Sequence, residues 1–227
     1  MMKRNHSIFC ALALAACCFL ASCANGETTA GTPPQEPTSA TDTKTTEVSY
    51  QLPTVDSVDE KTMTSAVKQW IETVYGIDLT GWEAYYSLTD RAGAGQNDAG
   101  ISFMGAEGEA PYLAEIDQES KEIISVETAA WKAATPSDIA KQADYVSAAK
   151  AFAEEYLQAA GLQEAVCYQP VQPIRGEVTT NSVYVVFPEM QTYVEVSADE
   201  GHALVGYRHF ADAQAMNDFL QRQGKAF

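Results

Sequence analysis

One order of patterns occurs twice in this chain, and it limits the fold more than any other feature. An amphipathic helix closed by glycine is followed by four short strand-like runs, the last two joined by an acidic turn. In the first copy Met63, Ala66, Val67, Trp70, Ile71 and Val74 recur at i, i+3, i+4, i+7, i+8 and i+11, one face of a helix. Ser57-Val58-Asp59-Glu60 has capping-box form before it, and Gly76 is the expected C-cap. In the second copy Tyr145, Ala148, Ala149, Phe152, Tyr156 and Ala159 form the stripe, closed by Gly161. Strands are expected at 82–88, 101–104, 112–116 and 123–126, with a Gly-rich turn over 92–100, and again at 165–171, 182–187, 193–196 and 203–207. The period is roughly 80 to 85 residues.

The closest internal match sets Tyr112-Leu113-Ala114-Glu115-Ile116 against Thr192-Tyr193-Val194-Glu195-Val196. Each is followed by an acidic turn, 117–121 and 197–201. This unit resembles a PepSY-like domain, whose last hairpin often reads aromatic-x-Val-x-Ile-Asp, a short turn, then Gly-Glu-Ile. Here Tyr112 to Asp117 with Glu122-Ile123 fits, although Lys121 stands where the turn glycine is expected; the second copy has Gly201 but Ser197 in place of the Asp. The resemblance implies an α+β fold of two tandem repeats, each an N-terminal helix packed on a small antiparallel β-sheet. A C-terminal helix over 211–222, with Ala213, Met216, Phe219 and Leu220 on one face, is expected to pack on the second repeat. The repeats span 50–130 and 131–227. PepSY-like domains occur in protease propeptides, where an inhibitory role is proposed, and in cell-surface lipoproteins, so the resemblance implies a non-catalytic module outside the cell.

The first residues read as an address. Lys3 and Arg4 precede an apolar run from Ile8 to Leu20, too short for a bilayer span and of the length of a signal h-region. Leu20-Ala21-Ser22-Cys23 resembles the lipobox of bacterial lipoproteins, which implies a signal peptide over 1–22 and lipidation of Cys23. Leu14-Ala15-Ala16-Cys17 has the same form, but cleavage there leaves Cys18, Phe19 and Leu20 in the mature chain. Residues 23–49 then comprise the lipidated cysteine and a tether rich in Thr, Pro, Gly, Ser and Ala, without an aromatic until Tyr50. As a flexible coil it spans roughly 28 Å. The expected location is the extracytoplasmic face of the cell membrane, held by the N-terminal lipid.

Charge narrows the partners. The chain carries 14 Lys+Arg against 31 Asp+Glu, a net −17, and a pI near 4.4 argues against nucleic acid as a partner, whose phosphates need basic patches. Fifteen of the acids and four of the bases fall in residues 50–130, so the first repeat holds most of the excess.

The motifs of catalysis are sparse. Gly93-Ala94-Gly95 sits in a turn region with no helix after it, unlike a phosphate-binding loop, and no His-Glu-x-x-His, Cys-x-x-Cys or Gly-x-Ser-x-Gly spacing occurs. His202 and His209 are seven residues apart, on opposite faces if both lie on one strand. Of five cysteines, four lie at or before position 23; Cys167, within an apolar strand, reads as core, with a Cys–His nucleophile pair as the alternative. Asp117, Glu119 and Glu122, and Asp199 with Glu200, read as solvated hairpin turns rather than calcium ligands. No metal and no cofactor is expected.

Aromatic residues are the candidate anchors. Trp70, Phe152 and Tyr156 belong to the helix cores, whereas Tyr85 and Tyr86 in the Trp82 strand must face opposite ways, leaving one exposed. Trp131 lies between the repeats, where it is expected to pin them together. The expected function is a membrane-anchored binding or regulatory module, modulation of an envelope protease or complex being one form of it. The alternatives are an enzyme using Cys167 or a carboxylate pair, and a structural accessory subunit of an envelope complex.

Overall fold

The computed structural model describes residues 47–91, 96–106, 109–128, 138–172, 177–178, 181–199 and 201–227. Helix α1, Glu60–Tyr75, opens on Asp59 rather than on a Ser57 box. The Asp59 carboxylate accepts the Thr62 amide at 3.0 Å, while Ser57 only accepts the Asp59 amide. Hydrogen bonds from the first turn hold that carboxyl at about 2, below its usual range. Gly76 closes the helix in the left-handed region at φ 63°, as the stripe predicts.

Four strands follow: β1 Glu83–Arg91, β2 Gln96–Met104, β3 Tyr112–Asp117 and β4 Ile123–Thr128. β2 starts five residues before the expected strand. Leu88 pairs with Ala99 and Ser87 with Gly100, so small residues that read as turn instead continue the ladder. Helix α2, Gln142–Tyr156, ends before Ala159: the Leu157 amide makes the last i→i−4 bond, to the Ala153 carbonyl, and the Ala159 amide turns back onto that same carbonyl. Strands β5 Val166–Gln172, β6 Glu177–Val178, β7 Ser182–Phe187, β8 Thr192–Ser197 and β9 Leu204–His209 precede α3, Ala213–Gln223, and β10, Gly224–Ala226. β10, which no pattern announced, pairs with β5.

All strands join one antiparallel sheet in the order β1-β2-β3-β4-β9-β8-β7-β5-β10, with β6 beside β5 off that path. The halves are therefore fused through β4 and β9, at Ser125–Arg208, Val126–Tyr207 and Glu127–Gly206. Both hairpins on either side of this seam slip register at matching places, between Glu115 and Ile116 and between Glu195 and Val196. Lys121 adopts φ 62° in one hairpin turn and Gly201 φ 94° in the other, so lysine holds a conformation that favours glycine.

Strand alternation sends two sets of side chains to two layers. On one face Ala99, Ile101, Phe103, Ala114, Ile116 and Val126 meet Met63, Val67 and Ile71 of α1. On the same face Cys167, Val183, Val185 and Val194 meet Tyr145, Ala149, Phe152 and Ala153 of α2. Tyr207 marks the seam, fully buried, with Trp70 of α1 at 5.5 Å and Phe152 of α2 at 5.8 Å between ring centroids. The Tyr75 hydroxyl adds a bond to the Val205 carbonyl at 3.1 Å. Residues 49–55 also cross the seam, bonding Ala160 and Leu157 at one end and Lys121 and Ile123 at the other. Trp131, expected as the pin, lies outside the described residues.

Candidate functional site: the far face of the sheet

The opposite face of the sheet is divided. Over β5, β7 and β8 it is covered by α3, whose Met216 and Leu220 are buried against Tyr184, Val186 and Tyr193, with Phe219 stacked on Tyr193 at 5.3 Å. Asp212 caps this helix by accepting the Ala215 amide at 2.7 Å. Over β1 to β4 the far face carries no helix among the described residues. Its floor is small and polar, Ser87, Gly100 and Ser102, and its exposed apolar residues are Tyr85 (55% exposed), Met104 and Leu113 (each 42%).

A charged row runs between these halves. Across the sheet, Leu113 faces Glu127, Glu127 faces Gly206, Gly206 faces Glu195 and Glu195 faces Tyr184. In the adjacent row Glu115, Ser125, Arg208 and Tyr193 are successive partners. The Arg208 guanidinium therefore lies among acids, 2.9 Å from Glu115 and 3.6 Å from Glu127. Burial opposes its charge, but Glu115 and the neighbouring Tyr193 and Glu127 outweigh that and keep it protonated. Tyr193 donates to Glu127 at 3.1 Å, and Ser182 donates to Glu195.

Glu195 differs from the other two carboxylates because it is withdrawn from water. Burial lifts its pKa to about 7; the Ser182 hydroxyl pulls it down, and the Glu127 charge pushes it up again. Gly206 makes this crowding possible. A Cβ there would overlap the Val126 carbonyl oxygen and lie 3.2 Å from Glu127 Cγ.

Beside this row a groove of about 690 Å³ opens between the β3–β4 turn and α3. Asp98, Asp117, Glu119, Glu122 and Asp218 line it, against Arg208, Arg222 and His209. Burial lowers the His209 pKa, which leaves the ring neutral near pH 7, and Arg208 is already matched by its own carboxylates. The groove is thus acidic in excess, continuous with the open half of the sheet.

The sequence candidates fall in several places. Tyr85 and Tyr86 do face opposite ways: Tyr85 is on the open far face, while the Tyr86 hydroxyl reaches the Val58 carbonyl at 3.3 Å. Trp82 packs on Tyr112 at 6.0 Å, and Tyr156 on Phe152 at 5.4 Å. His202 sits in a turn at φ 46°, edge-on to Tyr145, and His209 bonds the Met190 carbonyl, so the two histidines serve separate packing sites. Asp117 spends its carboxylate on its own turn, accepting the amides of Glu119 and Ser120. Among the described residues no group of three metal-ligating side chains converges. Cys23, Cys17, Glu200 and Gly93 to Gly95 lie outside the described residues.

Cys167 faces the α2 layer, 1% exposed, and burial pushes its thiol up to about 11, against a smaller opposing pull from Gln142. A thiol held in that form is a poor nucleophile. It should resist alkylation by iodoacetamide in the native protein at pH 8 and react fully once urea unfolds the chain. Rapid native labelling would place it on an accessible surface instead.

The acidic row escaped the sequence reading. Glu115 and Glu195 stand at the same place in the two matching segments, each flanked by apolar neighbours, and that was the available signal. Arg208 and Gly206 carried none, because their role depends on the pairing of β4 with β9.

No family model and no curated protein matches the chain. A similar solved structure is the Bacillus megaterium YpeB C-terminal domain, 12% identical, with a TM-score of 0.44, covering 75% of this chain and 69% of that one.

Proposed function

We propose that this chain is a lipid-anchored extracytoplasmic binding module, and that its ligand is a cationic segment of another envelope protein. The observation that carries the reading is the acid excess of the groove beside the open half of the sheet, where Asp98, Asp117, Glu119, Glu122 and Asp218 outnumber the bases. Complementary charge steers such a segment and sets its register, while Tyr85, Met104 and Leu113 offer it apolar contact. Binding, rather than catalysis, also accords with the protonated, buried state of Cys167.

The described residues are read as two PepSY-like units fused edge to edge. The support is internal: helix before strands in each half, a register slip at equivalent places in the two hairpins, and positive φ at both Lys121 and Gly201. In this reading α3 covers the far face of the second unit only, because Tyr184, Val186 and Tyr193 offer it an apolar seat. Gly100, Ser102 and Leu113 occupy the corresponding positions of the first.

The anchor is tested by metabolic labelling with an alkynyl fatty acid. Label should appear on the wild-type chain and vanish in Cys23→Ala. Label that persists there but is lost in Cys17→Ala moves the attachment point, and an unlabelled wild type overturns the anchor.

A further inference from the structure

β1 ends the strand order, and it is long. Its nine residues pair with β2 without a break, from Glu83 opposite Met104 to Arg91 opposite Gln96; among the described residues no other strand is bonded to it. The opposite edge of the sheet ends in β10, only three residues. Long edges are commonly blunted by proline, lysine or a bulge, since their free amides and carbonyls invite another strand. β1, Glu-Ala-Tyr-Tyr-Ser-Leu-Thr-Asp-Arg, has none of these and is rich in residues that favour strands. Leu88, in register with buried Ala99, is 56% exposed.

We propose that β1 pairs antiparallel with β1 of a second copy, about a two-fold axis through Ser87, giving one sheet across two chains. The strand complements itself in that register and in no other close to it. With Ser87 opposite Ser87, Glu83 stands opposite Arg91 at both ends, so each end matches an acid with a base. Tyr86 stands opposite Leu88 twice, an aromatic–aliphatic pair that covers the exposed leucine, and Tyr85 stands opposite Thr89. Ala84 stands opposite Asp90. Ala84 lines a groove of about 660 Å³ whose other walls are Asp59, Glu60, Lys61, Thr64, Ser65 and Lys68. A slip of two residues separates Glu83 from Arg91. A slip of one sets the helix layer of one copy against the far face of the other.

The full chain, sedimented in density-matched detergent, should run as a dimer that dissociates on dilution. Glu83→Arg and Arg91→Glu should each weaken the dimer about tenfold, and the double reversal should restore it, which a folding defect would not do. In Ser87→Cys, mild oxidation should give a reducible dimer whose bond maps by mass spectrometry to position 87 of both chains. A wild type that stays monomeric across the micromolar range overturns the proposal. So does a double reversal that fails to restore, or a dimer with no bond at position 87. A monomer whose β1 amides are nevertheless protected from exchange would assign the edge to a foreign strand, and equally overturns it.

Discussion

Glu195→Gln is expected to make the protein more stable at pH 7.5 by about 2–3 kcal/mol, and to leave it nearly unchanged at pH 4.5. The direction follows from a folded pKa of about 7 against an ordinary value of 4.5. Below 4.5 the carboxyl is protonated in both folded and unfolded chains and costs nothing. Between 4.5 and 7 the unfolded chain releases the proton while the folded chain keeps it, so stability falls as pH rises. Above 7 both are ionised and the loss is complete. The groups that face this carboxyl are Ser182, Glu127, Tyr184, Tyr193 and Arg208, and Arg208 is engaged by Glu115 and Glu127. Glutamine keeps an acceptor for the Ser182 hydroxyl without the charge. Urea unfolding of both proteins from pH 4.5 to 8 should give curves that diverge upward through this window. Parallel curves would mean that Glu195 is solvated.

Gly206→Ala should be as damaging as the first substitution is helpful. The added methyl would overlap the Val126 carbonyl oxygen and come within 3.0 Å of Glu127 Cα, both on β4, where backbone cannot step aside without opening the seam. A loss of about 2–3 kcal/mol is expected from overpacking, which lowers the melting temperature by several degrees in a chain of this size. Gly100→Ala is the matched control. Its methyl meets mainly the Ser87 hydroxyl, a side chain that can rotate away, and should cost far less. Equal effects at both positions would argue that the seam is loose.

Local chemistry made much of this fold readable before any coordinates. The stripe from Met63 to Val74 and Gly76 place α1 within a few residues, because 3.6-residue periodicity and a left-handed cap are properties of the segment itself. Lys121, which stands where the PepSY-like hairpin pattern has glycine, has a φ of 62°. What stayed hidden depends on distant partners. Ser87 and Gly100 look like turn residues until they are paired across a hairpin, and residues 224–226 become a strand only because β5 is beside them. Most of the far-face site is of this second kind. Glu127, Gly206 and Glu195 are neighbours because β4 joins β9, a connection between residues some 80 positions apart that no short motif encodes.

The aromatic residues divide along the same line. Trp70 and Phe152 were legible as helix-core residues, each from its own stripe. That both converge on Tyr207, and so lock the seam, requires the two helices to share one face of one sheet. Tyr85 was legible as one of an alternating pair, but only the exposed far face gives it an open surface.

The binding claim is tested most directly by photo-crosslinking in cells, with the reactive amino acid placed in turn at Leu113 on the open face and at Gln69 and Ser147 on exposed positions of α1 and α2. Leu113 should yield one discrete protein adduct, Gln69 and Ser147 none, and the Leu113 adduct should fade when Glu119→Lys and Asp218→Lys are introduced together. An adduct that forms from the helix side, or one at Leu113 that survives the charge reversal, would contradict the acidic far face as the binding surface.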